Sequence, residues 1–364
     1  MSTAHTSPLK KLGDLSAEEI LAIPIQEPEQ VFARSADEIT NTYREFVKKW
    51  FPDVNHHPKA ADVFRHVTTL REKAKEKLVK GTWSEAGYVT TRLKDGRTLR
   101  IKSDKKFDFE LGTAHISANA INYVINREHA DLFQNAIKRI GALTFLKNGK
   151  PDAKLKDVYS PSLPIAYKTY ETDDTFILTV KKKPDDIRLR DLLPRLPKDT
   201  CAKHVAWITS RLHEMVRYLD HAGISHNAIT LDTVFASPSD HTIGLFGGWW
   251  YAAAFGEPLK AVPGETTDYL PDTGSKPILA DGKPDREMIR AAARELLGDR
   301  GGTRLIATKA APQPMTSYLR MPSSGNAQKD IQDWYQSVLP PSFGARRFTE
   351  LPLSYSDIYQ PVGG

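Results

Sequence analysis

A single cysteine, Cys201, stands in a chain of 364 residues, so neither an intrachain disulfide nor a thiolate metal site can be built from this sequence. That scarcity points to a reducing compartment, and a cytoplasmic location is expected. Long apolar runs are also missing. The densest patch, Trp249 to Phe255, is too short to cross a bilayer. The N-terminal stretch Met1 to Leu15 has no apolar core followed by small residues, so no secretory signal is expected there. There is no internal repeat, no serine in a Gly-x-Ser-x-Gly elbow, and no carboxylate pair with a recognisable acid/base context. The charge excess is small, 51 basic against 45 acidic residues, with a net charge of +6. A dedicated nucleic-acid binder carries a larger and more clustered excess. The composition, 40% hydrophobic and 26% charged, is that of an ordinary globular protein.

Three regions separate by pattern: a helical one over residues 1–80, a strand-rich one over 85–183 and a mostly helical one over 184–364. The fold class expected is α+β. In the first region Ser35-Ala36-Asp37-Glu38 reads as a capping box. The helix after it places Ile39, Tyr43, Phe46, Val47 and Trp50 on one face. Pro52 ends it. A second helix after Pro58 turns Val63, Phe64, Val67, Leu70, Ala74 and Leu78 inward. The hairpin so formed needs a third packing element, which Leu15 to Ile23 or Val31-Phe32 can supply.

The run Tyr43 to Asn55, followed by Ala60-Ala61-Asp62-Val63-Phe64, resembles the J domain of co-chaperones over about the first 80 residues. That resemblance implies a heat-shock chaperone, or another host protein, as partner. The family's His-Pro-Asp loop is here Phe51-Pro52-Asp53. The family histidine is needed to stimulate ATP hydrolysis by the chaperone, and a phenylalanine side chain offers no conventional hydrogen bond in its place. The expectation is a module that binds without triggering. His56 and His57 are adjacent loop residues without a third ligand and make a poor zinc site.

Farther along, an amphipathic helix over His204 to His221 leads into Gly223-Ile224-Ser225-His226-Asn227-Ala228-Ile229-Thr230-Leu231-Asp232-Thr233. This resembles the protein-kinase helix and catalytic loop, with His226 at the motif histidine. The resemblance puts Ala228 at the catalytic aspartate and Thr233 at the metal-binding asparagine. Leu245-Phe246-Gly247 falls at the Asp-Phe-Gly metal motif, with Leu245 or Phe246 in the aspartate slot and Asp240 upstream in a turn. Asp285, ten residues before Glu295, corresponds to the aspartate that anchors the catalytic-loop backbone, and Leu270-Pro271-Asp272 to the Ala-Pro-Glu motif. Leu163-Pro164-Ile165 and Asp173 to Val180 read as the last two strands of the small lobe. Phe109 to Thr113 resembles a remnant of the nucleotide loop, with a single glycine. Ala120 to Ile125, the strand expected to carry the ATP lysine, has none, and Asn135 occupies the expected glutamate position of the regulatory helix. Lys102 supplies the lysine only under a different strand assignment.

The resemblance therefore implies a bilobal kinase-like fold behind a small helical J-like domain, without catalytic residues, cofactor or metal. The expected function is that of a pseudokinase adaptor acting through protein–protein interaction, of a kind that resembles phage or mobile-element proteins. Two alternatives stay open. One is an atypical kinase-fold transferase using Asp232 and Asp240. The other is nucleic-acid binding through Lys181-Lys182-Lys183 and through Lys102, Lys105 and Lys106. Arg346-Arg347 suits either an anion or an acidic partner.

Overall fold

The computed structural model describes residues 12–81, 83 and 87–359. Residues 1–11, which carry most of the N-terminal signal-sequence reading, lie outside the described residues. The chain divides into two compact units, residues 1–106 with 170–175 and 361–364, and residues 107–169 with 176–360.

The first unit begins with α1 (Ala17–Leu21), α2 (Ala36–Trp50) and α3 (Ala60–Lys80). The reciprocal capping box forms at Ser16 and Glu19, where each side chain meets the other's backbone amide, at 3.3 and 2.9 Å. At Ser35 only half of the expected box is present: its hydroxyl accepts the Glu38 amide at 3.4 Å. The predicted stripes face inward, with Ile39, Phe46 and Trp50 of α2 buried against Val63, Val67, Leu70 and Ala74 of α3. Both candidate third elements contribute: Ile20, Ile23, Val31 and Phe32 are all in this core. Gly81 ends α3 in the left-handed region, at φ 66°, where a residue without Cβ is at no steric cost. The unit continues into the antiparallel pair β1 (Tyr88–Arg92) and β2 (Thr98–Lys102).

A five-stranded sheet follows, made of β3 (Lys105–Phe109), β4 (Gly112–Ile116), β5 (Ala120–Asn126), β8 (Tyr167–Glu171) and β9 (Thr175–Lys181), in the order β3-β4-β5-β9-β8. Between β5 and β8 lie α4 (Ala130–Gly141), a short hairpin of β6 (Leu146–Lys147) and β7 (Lys150–Pro151), and α5 (Ala153–Tyr159). The strand expected at Leu163-Pro164-Ile165 starts later, at Tyr167. Residues Ser160–Ser162, with Pro161 among them, form a 3-10 turn instead, and Leu163 is buried in the core. The expected nucleotide loop is only the two residues Glu110 and Leu111. It is closed by Gly112, where a Cβ would lie 2.1 Å from the Val124 carbonyl oxygen.

The rest of the second unit is mainly helical. After β10 (Ile187–Arg188) and α6 (Leu189–Leu192) comes the long α7 (Cys201–His221), then the short strands β11 (Ile224–Ser225), β12 (Val234–Ser237), β13 (Thr242–Leu245) and β14 (Ala253–Ala254). Next are α8 (Lys283–Leu296), α9 (Leu305–Thr308), α10 (Gln313–Arg320), α11 (Ala327–Asp333), α12 (Leu339–Phe343) and α13 (Tyr355–Ile358). Part of the C-terminal segment packs against the rest of the unit. Leu351 and Tyr359 are buried, and the Tyr359 hydroxyl accepts from the Arg188 amide at 3.0 Å and donates to Asp191 at 2.8 Å. Among the described residues, no helix is long and apolar enough to cross a membrane.

Candidate functional site

The loop between β11 and β12 is held from below by one buried carboxylate. Asp285, near the start of α8, accepts the backbone amides of His226 and Asn227, each at 2.6 Å, and the Ser225 hydroxyl at 3.3 Å. Burial pushes its pKa up to about 7, against the lowering effect of the amides it accepts. Asn227 sits at φ 61° and ties the loop to Tyr251 through its amide group, which donates to the Tyr251 carbonyl at 3.0 Å. His226 is fully buried. Its Nε2 lies 2.9 Å from the Gly247 carbonyl, and its ring meets the edge of Trp249 at 5.0 Å. Burial lowers its pKa to about 3, so it is a neutral structural imidazole at ordinary pH.

Above this loop is a cavity of about 250 Å³ lined by residues of the second unit alone, from β3 and β5, the β11–β12 loop, and the segments around Trp250 and Glu265. Tyr123 lies on β5, the strand on which the kinase resemblance expects the ATP lysine and which has no lysine. It is 2% exposed. Its ring packs with those of Phe109 (5.8 Å) and Trp250 (5.2 Å), and Phe109 and Trp250 are themselves 5.1 Å apart. These three rings form one wall of the cavity. Phe246 and Trp249 are buried elsewhere: Phe246 against Phe235 at 5.7 Å, and Trp249 under His226 with its Nε1 donating to the Leu245 carbonyl at 2.8 Å.

The pairing of β12 with β13 fixes the register around residue 246. Val234 lies opposite Leu245, and the amides of Phe246 and Gly247 both donate to the Thr233 carbonyl, at 3.3 and 3.2 Å. Neither Leu245 nor Phe246 lines the cavity; Gly247 does. A Cβ at Gly247 would lie 2.8 Å from the Tyr123 hydroxyl oxygen and 3.2 Å from the Thr233 Cα. The position that faces the cavity therefore has no side chain and little room for one. Ala228 and Thr233 also line it, and the Thr233 hydroxyl donates back to the Ala228 carbonyl rather than into the opening. Asn135 of α4 reaches instead for the main chain beyond, donating to the carbonyls of Trp250 and Ala252 at 2.9 Å each.

Carboxylates do approach the cavity, but not as a metal set. Asp232 is paired with Arg190 at 2.9 Å and with Arg188 at 3.4 Å, and Glu265 with Arg300 at 3.2 Å and Arg190 at 3.6 Å. Glu295 joins the same network through Arg190 and Arg300. Asp240 sits in the β12–β13 turn, 3.2 Å from Lys183. Asp272 is exposed and accepts the Gly274 amide at 3.0 Å in a turn. No group of three or more metal-ligating side chains is present among the described residues.

The basic clusters are partly committed. Lys182 is 4% exposed and donates to the carbonyls of Ala118 and Lys183. Lys102 pairs with Asp104 at 3.6 Å. The Arg346 guanidinium lies 5.9 Å from the centre of the Tyr335 ring. In the first unit Phe51 caps α2, half-exposed, with its ring edge-on to Phe64 at 5.5 Å; Pro52 and Asp53 follow in an exposed turn.

No protein-family model matches this sequence, and no curated protein matches it. Among solved structures it is similar to ROP2 from Toxoplasma gondii, described as a virulence factor with a protein-kinase fold and no enzymatic activity. That match has a TM-score of 0.46 and 12% identity, and covers 72% of this chain and 89% of the other. It is also similar to vaccinia related kinase 3, with a TM-score of 0.42 and 15% identity, over 76% of this chain and 90% of the other.

Proposed function

We propose that the second unit is a kinase-like body that does not transfer phosphate and that the chain works by binding other proteins. The observation that carries this is the packing of Phe109, Tyr123 and Trp250 against one another in the wall of the cavity, with no lysine on β5. Phosphoryl transfer needs metal-holding carboxylates, a cation on the phosphates and a base to orient the nucleophile. The counterparts here are Gly247 and Thr233, a β5 strand without lysine, and Ala228. The cavity of about 250 Å³ is also below the roughly 300–1,000 Å³ of ordinary small-molecule sites. The kinase-like reading is supported by the strand order, by the Asp285 anchor under the loop and by the His226–Gly247 contact. The expected result is that ATP with magnesium or manganese leaves the melting temperature unchanged and that no phosphotransfer is detected. Turnover that disappears on mutating a cavity residue would overturn the proposal.

The exposed turn at Phe51-Pro52-Asp53 is the contact face proposed for the first unit, with a heat-shock chaperone as the partner. The expectation is that Asp53→Ala weakens binding in a pull-down and that Phe51→His confers stimulation of the chaperone's ATP hydrolysis. If the wild-type chain captures no chaperone, this part of the proposal falls and the reading of the second unit stands.

A further inference from the structure

The cavity has a charge opposite to that of a nucleotide site. Its lining includes four carboxylates, Asp108, Glu110, Asp232 and Glu265, and no lysine or arginine. Asp232 and Glu265 share Arg188, Arg190 and Arg300 with Asp191 and Glu295, four carboxylates to three guanidiniums. Asp108 and Glu110 are exposed at the rim. Asp108 accepts only the Thr113 hydroxyl, at 3.2 Å, and no cation among the described residues pairs with either. The negative charge of Glu110 is felt within the cavity, where it joins burial in pushing the Tyr251 hydroxyl up to about 12.

Two further features make this more than an acidic rim. The inner wall is aromatic, and a ring face attracts a cation, more strongly once water is excluded. The Tyr123 hydroxyl is also buried at this wall with no hydrogen-bond partner. An unsatisfied buried polar group is costly, so an N–H donor that reaches this oxygen relieves part of a standing penalty. A quaternary ammonium has no N–H to offer; a primary one has three.

We propose that this cavity binds a primary alkylammonium, seated against Phe109, Tyr123 and Trp250 with Asp108 and Glu110 as its counter-ions. The inference rests on the reading that the cavity is not a nucleotide site. Its source is either a free amine or the lysine side chain of a partner protein, and the chemistry recognised is the same.

The test is calorimetric titration of the full chain with n-butylamine, tetramethylammonium, Nα-acetyl-lysine amide and, separately, ATP with magnesium. Saturable binding of butylamine is expected, with tetramethylammonium weaker. Asp108→Asn with Glu110→Gln should weaken it roughly ten-fold, as loss of two facing charges at a partly desolvated site implies. Both residues are exposed, so the melting temperature should not move. Tyr123→Phe should weaken butylamine and leave tetramethylammonium unchanged. Tighter binding of the blocked lysine than of butylamine assigns the site to a protein side chain, and the reverse order assigns it to a free amine. Absence of saturable amine binding, or binding indifferent to the rim substitutions, overturns the inference while the reading of an inactive kinase-like body stands. Binding of ATP overturns that reading, whatever the amines do.

Discussion

Asp285→Ala is expected to cost the second unit about 3–5 kcal/mol and to lower its melting temperature by roughly 10 °C. The side chain is 1% exposed and receives two backbone amides and a hydroxyl. Alanine leaves both backbone amides buried without an acceptor, while the Ser225 hydroxyl keeps its shorter bond to Asn227 Oδ1 at 2.6 Å, and the loop that carries His226, Asn227 and Ala228 loses its anchor. The Asn variant is milder and tests the electrostatics. In the native state Asp285 keeps its proton up to about pH 7, whereas an unfolded aspartate loses it near 4. Its titration therefore adds stability as pH falls from 7 to 4. His226 and His213 act the other way. Burial lowers each to about 3, so the unfolded chain takes up their protons below about 6.5 and stability is lost as pH falls. In the wild type one of these histidine losses is offset by Asp285. With Asp285→Asn the offset is gone, and the fall in stability between pH 6.5 and 4 steepens by about 1.4 kcal/mol per pH unit. Urea midpoints at pH 4.5, 5.5 and 6.5 measure it. Parallel profiles for wild type and variant, or an alanine variant melting within about 2 °C of wild type, would show that Asp285 is not the anchor described.

The mixed α+β architecture was legible because its signals are local. The stripes of α2 and α3 repeat at helical spacing, and the β9 run Thr175 to Val180 is a short, mostly apolar run of β-branched and aromatic residues that marks a buried strand. The late start of β8 was not legible, because Leu163 and Ile165 are apolar enough to suggest a strand while Pro161 commits the chain to a turn. At the candidate site, Ala228 and Thr233, both of which line the cavity, could be singled out from spacing along one loop. The place of Gly247 at the cavity could not. It depends on which residue of β13 faces Val234, and a shift of one residue moves every side chain to the opposite face. The aromatic wall was invisible for a different reason. Phe109, Tyr123 and Trp250 come from three separate elements, two of them more than a hundred residues from the third, and no periodicity within one segment reports such a meeting. The partnering of Asp232 by Arg188 and Arg190 was hidden in the same way, and that pairing keeps it from serving as a free carboxylate.

Trp250→Ala should cost a further comparable amount, about 3–5 kcal/mol, and still confer no affinity for ATP. The indole is 3% exposed and touches Phe109, Tyr123 and Tyr251, so its removal leaves a cavity where three rings now meet. The two bonds from Asn135 go to main-chain carbonyls and survive the substitution, which keeps the loss to packing. More room does not make a nucleotide site, however. Asp108 and Glu110 still face an incoming triphosphate with like charge, and no lysine stands on β5 to compensate. Gly247 cannot accept a metal-binding side chain without displacing the Tyr123 hydroxyl. Phosphate binding would thus require a change in the charge of the lining as well as in its volume. Calorimetric unfolding gives the stability loss, and the same sample titrated with ATP and magnesium gives the second half of the prediction. If Trp250→Ala bound ATP, the indole alone would be closing an otherwise competent cleft, and the charge argument against a nucleotide would fall. If it binds none but takes butylamine more weakly than the wild type, the ring is acting as a wall for a cation rather than as a stopper against a nucleotide.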